Sequence, residues 1–475
     1  MHKRIPLILT LAFLASCTTA GPDFVPPQAP AVATYAMAGD GAVPAGIRLA
    51  PEARAEADWW KAFGSEDLDA LVRQALASSP TLDSANAALA RAQALESVQR
   101  GGALPKVDAT GTVSRERINT AGFGITGFPS PTINLYSLGS DVSFDLDLFG
   151  GQKRRIEQAA AETEAEAYRT SAAYLMLTGQ VVTRAIELAA LRAQLAELDE
   201  IIADDQQTLQ MIQRGVEAGG EPRSATNTSD AQLAEDEARR PPLLYQIDIT
   251  RHALALLVGK APAEWRAPDI DLADIAVPAD IPLNLPSALV RQRPDIRAAE
   301  AELHAATAAI GVAEAGRYPS VSLDAAFAFT TLSPDDLFQY DSSGWSAGPS
   351  IAAPLFRGGS LKARQAAAVA EARQADAKYR QTVLTAFVQV ADLLSAISHD
   401  QQLILAQTRA SDIATENARL ASISFENGAG SLLSVIDAQR QAQRARLGRV
   451  DSQARLRVDL AALYIATGSW SPVSQ

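Results

Sequence analysis

The sequence predicts an internally duplicated α+β membrane protein, in which long antiparallel coiled-coil helices are combined with four transmembrane β-strands per chain. Three observations carry this reading. The chain is written twice; its hydrophobic period changes from helix to strand and back within each copy; and each copy contains one helical stretch of more than sixty residues. Pro80, Leu89, Pro105 and Val107 recur as Pro294, Leu303, Pro319 and Val321, each 214 positions on. Phe149 recurs as Phe356 at an offset of 207, and Gly219 and Gly259 as Gly428 and Gly468 at 209. Each copy therefore reads as helix, strand pair around a loop, very long helix, helix.

The start of the chain reads as an export signal. His2, Lys3 and Arg4 form a positive region, and Ile5 to Leu14 an apolar run too short to span a membrane stably. Leu14-Ala15-Ser16-Cys17 resembles the lipobox of bacterial lipoproteins, which makes residues 1–16 the signal peptide and Cys17 the lipidated first residue of the mature chain. Cys17 is the only cysteine, so no intramolecular disulfide competes for it. Each buried acyl methylene adds about 0.8 kcal/mol of membrane affinity, and several chains anchor firmly. Thr18, where an Asp would retain the protein, fits sorting to the outer membrane. From Thr18 to about Ala57 the chain is rich in Pro, Ala and Gly and reads as an extended surface tether.

A formal net charge of -13 argues against a nucleic-acid partner, whose phosphates demand a basic face. No later segment offers about 18 uninterrupted apolar residues. Any crossing of a membrane by the mature chain is therefore assigned to strands.

Helical pattern begins at Ser65-Glu66-Asp67, a capping serine followed by acidic first-turn residues, and runs towards Arg100 with a break at Ser79-Pro80. The period then becomes two. Val107, Ala109, Gly111 and Val113 alternate with polar residues, as do Leu138, Val142, Phe144, Leu146 and Leu148. The second copy repeats this with Val321, Leu323, Ala325, Phe327 and Phe329, then Trp345, Ala347, Ile351, Ala353 and Leu355. Such two-faced strands suit a membrane barrel with a wet interior, and also the edge of a soluble sandwich. If they form a barrel, four are too few, because even eight strands enclose only enough space for side chains. Three chains would supply twelve.

Helical pattern resumes from Gln152 to Arg214 and from Leu361 to Glu426, with three-four spacing in Leu188, Leu191, Leu195, Leu198 and Ile202 and in Val383, Phe387, Val390, Leu394 and Ile397. At 1.5 Å per residue each is on the order of 90 to 100 Å long. Further helices, Ser224 to Val258 and Ser431 to Thr467, return after turns at Gly219-Gly220 and Gly428-Gly430, which read as hairpin tips far from the strands.

These residues resemble the TolC-like outer-membrane factors of tripartite efflux pumps, in their lipidated branch. The most specific pieces are Arg291-Gln292-Arg293-Pro294-Asp295-Ile296-Arg297, the strand exit Pro354-Leu355-Phe356-Arg357-Gly358-Gly359, and Phe425-Glu426-Asn427-Gly428 running through Val435-Ile436-Asp437-Ala438-Gln439. The resemblance covers essentially the whole mature chain. It implies a homotrimer with a twelve-stranded β-barrel in the outer membrane and a coiled-coil α-barrel projecting through the periplasm, completed by a periplasmic adaptor (membrane fusion) protein and an inner-membrane pump of the RND type. On this reading residues 17–64 are the lipidated tether and equatorial segment, 65–258 the first repeat, 259–284 a connecting equatorial segment, 285–467 the second repeat and 468–475 the tail. An outer-membrane component of a type I secretion system is the nearest alternative, and a lipid-anchored coiled-coil scaffold without transport the next.

Carried over from the family, the side chains that pinch the periplasmic end shut are Leu433 and Asp437, one helical turn apart and so on one face. Threefold symmetry would gather them into an apolar and an acidic ring. Asp437 would also suit a helix N-terminal region on its own account. Ser434 stands where some relatives carry a second carboxylate. Gly219 and Gly428 mark the tips at which an adaptor would dock. No cofactor, metal or catalytic site is expected: His252, His304 and His399 lie singly, without ligand spacing, and no phosphate-cradling glycine loop is present.

Overall fold

The computed structural model describes residues 19–32, 34, 35, 37, 48–50, 58–124, 127, 129–278, 280–282 and 286–468. The signal peptide and Cys17 lie outside them. The short strand β1 (Arg48–Ala50) precedes the first repeat, whose elements are α1 (Glu66–Ser78), α2 (Pro80–Gly101), β2 (Lys106–Arg117), β3 (Thr132–Leu146), α3 (Gly151–Glu217), α4 (Arg223–Glu237) and α5 (Arg240–Leu257). The connecting segment holds β4 (Asp280–Pro282), and the second repeat α6 (Pro286–Gln292), α7 (Pro294–Ala315), β5 (Ser320–Thr331), β6 (Ser343–Ala352), α8 (Ser360–Glu426) and α9 (Leu432–Thr467). The duplication persists as equal lengths: α2 and α7 have 22 residues each, β2 and β5 have 12, and α3 and α8 have 67.

The chain divides into two compact units, each drawn from both repeats. One gathers residues 1–27, 88–167 and 298–380 around a four-stranded antiparallel sheet in the order β2-β3-β5-β6. Its register puts Val107 opposite Val142, Val142 opposite Ala325, and Ala325 opposite Ala347. Phe144 meets Leu323, and Phe327 meets Trp345, on the same apolar face. One residue along, Asp108 pairs with Asp141, and Ser143 with Asp324, on the other face. The period of two therefore sorts the whole sheet into an apolar and a polar side. The apolar side is uncovered within the chain: Trp345 is 81 % exposed and Val113 74 %. Among the described residues β2 and β6 each have a single strand neighbour, so both sheet edges are open there.

The start of the described chain is fastened to this unit. The Ala20 amide donates to the Phe149 carbonyl at 2.9 Å, immediately after the exit of β3. The Arg154 side chain, 3 % exposed, donates to the Ala20 and Gly21 carbonyls, to Asp23 and to Glu157. Phe24 stacks on His304 with ring centroids 4.4 Å apart, and His304 Nε2 lies 3.0 Å from Glu157 Oε1. Burial works against the Glu157 carboxylate, but the hydrogen bonds and charges of Arg154 and His304 outweigh it and hold its pKa below the usual range.

The second unit gathers residues 28–87, 168–297 and 381–475. Its core is aromatic where α1 begins: Trp59, Phe63 and Tyr464 contact one another, with Trp60 edge-on to Trp59. Trp59 Nε1 donates to Thr178 Oγ1 and Trp60 Nε1 to Asp69 Oδ1, so neither buried indole is left unpaired. Leu68, Leu71 and Val72 of α1, Val181, Val182 and Ile186 of α3, and Leu460 and Leu463 of α9 complete it. Ser65 caps α1 by accepting from the Leu68 amide, as the sequence predicts.

The strand β3 stops at Leu146, short of Leu148, and three further elements differ from the sequence reading. The helix expected over Ser224 to Val258 is two, α4 and α5, interrupted at Ala238-Arg239; Pro241 and Pro242 follow and supply no amide hydrogens to the preceding turn. The last strand stops at Ala352, short of Ala353 and Leu355, because Pro354 cannot donate to a ladder. The short parallel pair β1 and β4 was not anticipated, three residues being too few for a periodic signal.

Gly179 of α3 lets α9 approach closely: a Cβ there would lie 2.2 Å from Ile465 Cδ1. Gly179→Val should therefore cost about 1–3 kcal/mol, read as a lowered melting temperature, and Ile465→Ala in the same chain should recover part of it. Arg154→Ala should release residues 20–24, so that limited proteolysis cuts there faster while the sheet remains protected; unchanged cleavage would show that the segment is held by other contacts.

Candidate functional site

The gate and tip residues derived from the sequence fall in the second unit, at two turns built alike, while Cys17 lies outside the described residues. α3 ends at Glu217 and α8 at Glu426. The Gly219 amide donates to Val216 and the Gly220 amide to Gly215; 209 positions on, Gly428 donates to Phe425 and Ala429 to Ser424. The bonds that reach back five residues are those of a Schellman end, and they require a left-handed residue, supplied by Gly219 at φ 78° and Gly428 at φ 72°. No atom lies within 4 Å of where a Cβ would sit at either position. The backbone, not space, demands glycine, at about 1–2 kcal/mol for any other residue.

After the second turn Ser431 caps α9 by accepting from the Ser434 amide at 3.2 Å. This sets the phase of the helix. Val435, Ile436 and Ala438 point into the protein, while Leu433, 74 % exposed, and the exposed Asp437 lie together on the outer side. Asp437 Oδ2 accepts only from Gln441 Nε2, at 3.1 Å, among the described contacts, which leaves its charge facing solvent. An apolar and an anionic side chain are thus displayed side by side, one turn apart, and Gln441 is the partner of Asp437 among the described contacts. No cluster of three or more metal-ligating side chains occurs among the described residues. His304, one of the three histidines read as solvated or packing residues, stacks on Phe24.

Sequence reading missed what lies behind this face. Asp205 of α3 and Asp236 of α4 are 3 % and 0 % exposed, and their carboxyls are close enough to share a hydrogen bond. Gln232 Nε2 donates to Asp236 Oδ2, Arg440 Nε of α9 donates to Gln232 Oε1, and Gln443 Nε2 reaches Asp205 Oδ1 at 3.5 Å. Burial first, and then the adjacent Asp236 carboxyl, push Asp205 up to about 7. Asp400 of α8 is raised to about 7 likewise, by burial and by Asp459 of α9. A signal for both existed. Asp205 falls in step with the buried Ile201, Thr208 and Ile212, and Asp400 follows the buried Val390 and Ile397, so both are carboxylates in a coiled-coil seam position.

The family of outer membrane efflux proteins matches the chain twice, over residues 71–260 and 285–469. Nodulation protein T of Rhizobium leguminosarum bv. viciae is 28% identical over 98% of this chain and 93% of its own length. The probable efflux pump outer membrane protein TtgC of Pseudomonas putida is 30% identical over 97% and 95%. Among solved structures, the outer-membrane channel OprN superposes with a TM-score of 0.86 at 28% identity, covering 95% of this chain and 99% of that one. With both repeats matched, and with the two-faced sheet and paired long helices of such a channel, the chain belongs to the outer membrane efflux protein family and is an outer-membrane efflux channel.

Proposed function

We propose that this chain is one third of a passive conduit, a homotrimer that carries substrates from an inner-membrane pump and its periplasmic adaptor to the exterior without chemistry on them. The observation that carries this reading is the sheet. Its apolar face is uncovered and both edges are open, a state that lipid tolerates only when other strands complete a closed barrel. Three copies give twelve strands. Leu384 and Val388 are exposed on α8, in a helix containing an 18-residue stretch with mean hydropathy 1.3, and they offer the same kind of seam to a neighbouring copy.

Within this conduit Leu433 and Asp437 are the gate, and the turns at Gly219 and Gly428 are where the adaptor docks. Support for the gate is the joint exposure of the two side chains on one face of α9, fixed by the Ser431 cap. Like charges gathered by symmetry repel, so partner docking has only to release an assembly already biased by Asp437. Cys17 carries the lipid. The fastening of residues 20–24 to Phe149 and Arg154 would keep that lipid close to the exit of β3, since two residues span at most about 7 Å between Cys17 and Thr19.

Single-channel conductance tests the gate. Leu433→Ala with Asp437→Ala should raise the conductance of the purified protein in planar bilayers several-fold, and unchanged currents in a correctly assembled double variant would reject the assignment. Mass analysis tests the anchor: the mature chain should begin at Cys17 with acyl groups attached, and Cys17→Ser should remove that mass.

A further inference from the structure

We propose that a proton on Asp205, donated to Asp236, latches the seam of α3, α4 and α9 behind the gate, and that its loss loosens this seam and eases gate opening. The coupling to opening rests on the assignment of Leu433 and Asp437 as the gate; the latch itself does not.

The geometry leaves little choice about the proton. Both carboxyls are at least 97 % buried and lie within hydrogen-bond reach of one another; Asp205 Oδ2 has no hydrogen-bond partner among the described contacts, while Asp236 Oδ1 faces the Arg239 guanidinium at 3.2 Å. Two carboxylates in contact inside a protein cannot both ionise without strong repulsion, so Asp205 holds a proton and donates it to Asp236, which supplies the bond that Asp205 otherwise lacks. The surrounding cations offset the second negative charge only in part: the charge of Arg440 favours the ionised Asp205, but burial and the adjacent Asp236 outweigh it. On α3, Asp204 and Glu200 are drawn to Arg446 of α9. After α4, Arg239 reaches Asp236 at 3.2 Å but is shared with Glu235. From α9, Arg440 is directed to the neutral Gln232, Gln439 to Thr208, and Gln443 makes only a long contact to Asp205. α8 meets α9 here through Ala418, Ala438 and Ala442; its Glu416 and Arg419 are exposed and pair with each other.

The latch sits where it can act. Arg440 and Gln443, which tie α9 to the acid pair, follow Asp437 by three and six residues, within two turns of one helix. The sign follows from the raised pKa of Asp205, about 7 against an ordinary value of 3.8. The closed seam binds a proton that an opened, hydrated seam releases, so the closed state is favoured at acid pH and loses ground as pH rises towards 7. Above that it levels off.

The test compares the wild type with Asp205→Asn, whose amide keeps the shape and donates permanently to Asp236, using the intact protein in detergent. Hydrogen exchange within residues 201–209 and 229–237 should speed up about ten-fold from pH 6 to pH 8 after correction for intrinsic rates, with a parallel rise in open probability in bilayers. Asp205→Asn should show neither and remain at the slow, closed level; Asp236→Asn should flatten the response too. A wild type without pH dependence in exchange, or an Asp205→Asn variant that keeps it, overturns the latch. Exchange that responds while open probability does not, in a protein whose conductance rises on replacing Leu433 and Asp437, overturns the coupling and leaves the gate. If those two replacements change nothing, the gate reading fails, and hydrogen exchange alone decides the latch.

Discussion

The structure depends on one constraint: a backbone amide or carbonyl that enters lipid must already be hydrogen-bonded. A four-stranded sheet in the order β2-β3-β5-β6 satisfies its inner strands and leaves its outer two half bonded. In water such edges attract solvent, but beside the uncovered apolar face of Val107, Phe327 and Trp345 they need other strands. A closed barrel would therefore draw on strands from other copies of the chain. The gene duplication is what makes the arithmetic modest, since each copy contributes a pair of strands and one 67-residue helix.

Polar groups inside the helical unit follow a different rule. Coiled-coil seams prefer apolar residues, yet Asp205 and Asp400 occupy seam positions and are buried. A buried carboxyl costs stability unless it is protonated or paired, and each of these lies beside a second carboxyl whose effect outweighs that of the nearby arginine. Stability alone would favour leucine at such sites. On the latch proposed above, a channel that must open would use such sites to make the packing of its long helices depend on protonation.

Much of this was legible in the sequence for physical reasons. The period of two in Val107 to Val113 and Val321 to Phe329 can be satisfied only by a two-faced sheet, and the structure sorts these residues to one side. Ser65 and Ser431 were readable as caps because a hydroxyl before a helical run has a free amide to bind. The glycines at 219 and 428 were readable because the left-handed turn excludes other side chains. What escaped depends on contacts distant in sequence. Nothing in Asp205 announces Asp236, and nothing in Arg154 announces the carbonyls of Ala20 and Gly21. The break between α4 and α5 was visible in Pro241-Pro242, but the periodic pattern on either side concealed it.

The central claim, that copies of this chain pool their strands, is tested most directly by the native mass of the detergent-solubilised particle. Three chains in one particle, resistant to dissociation until the barrel is denatured, is the result expected. A folded particle containing one chain, with amides of β2 and β6 exchanging freely along their outer edges, would contradict it.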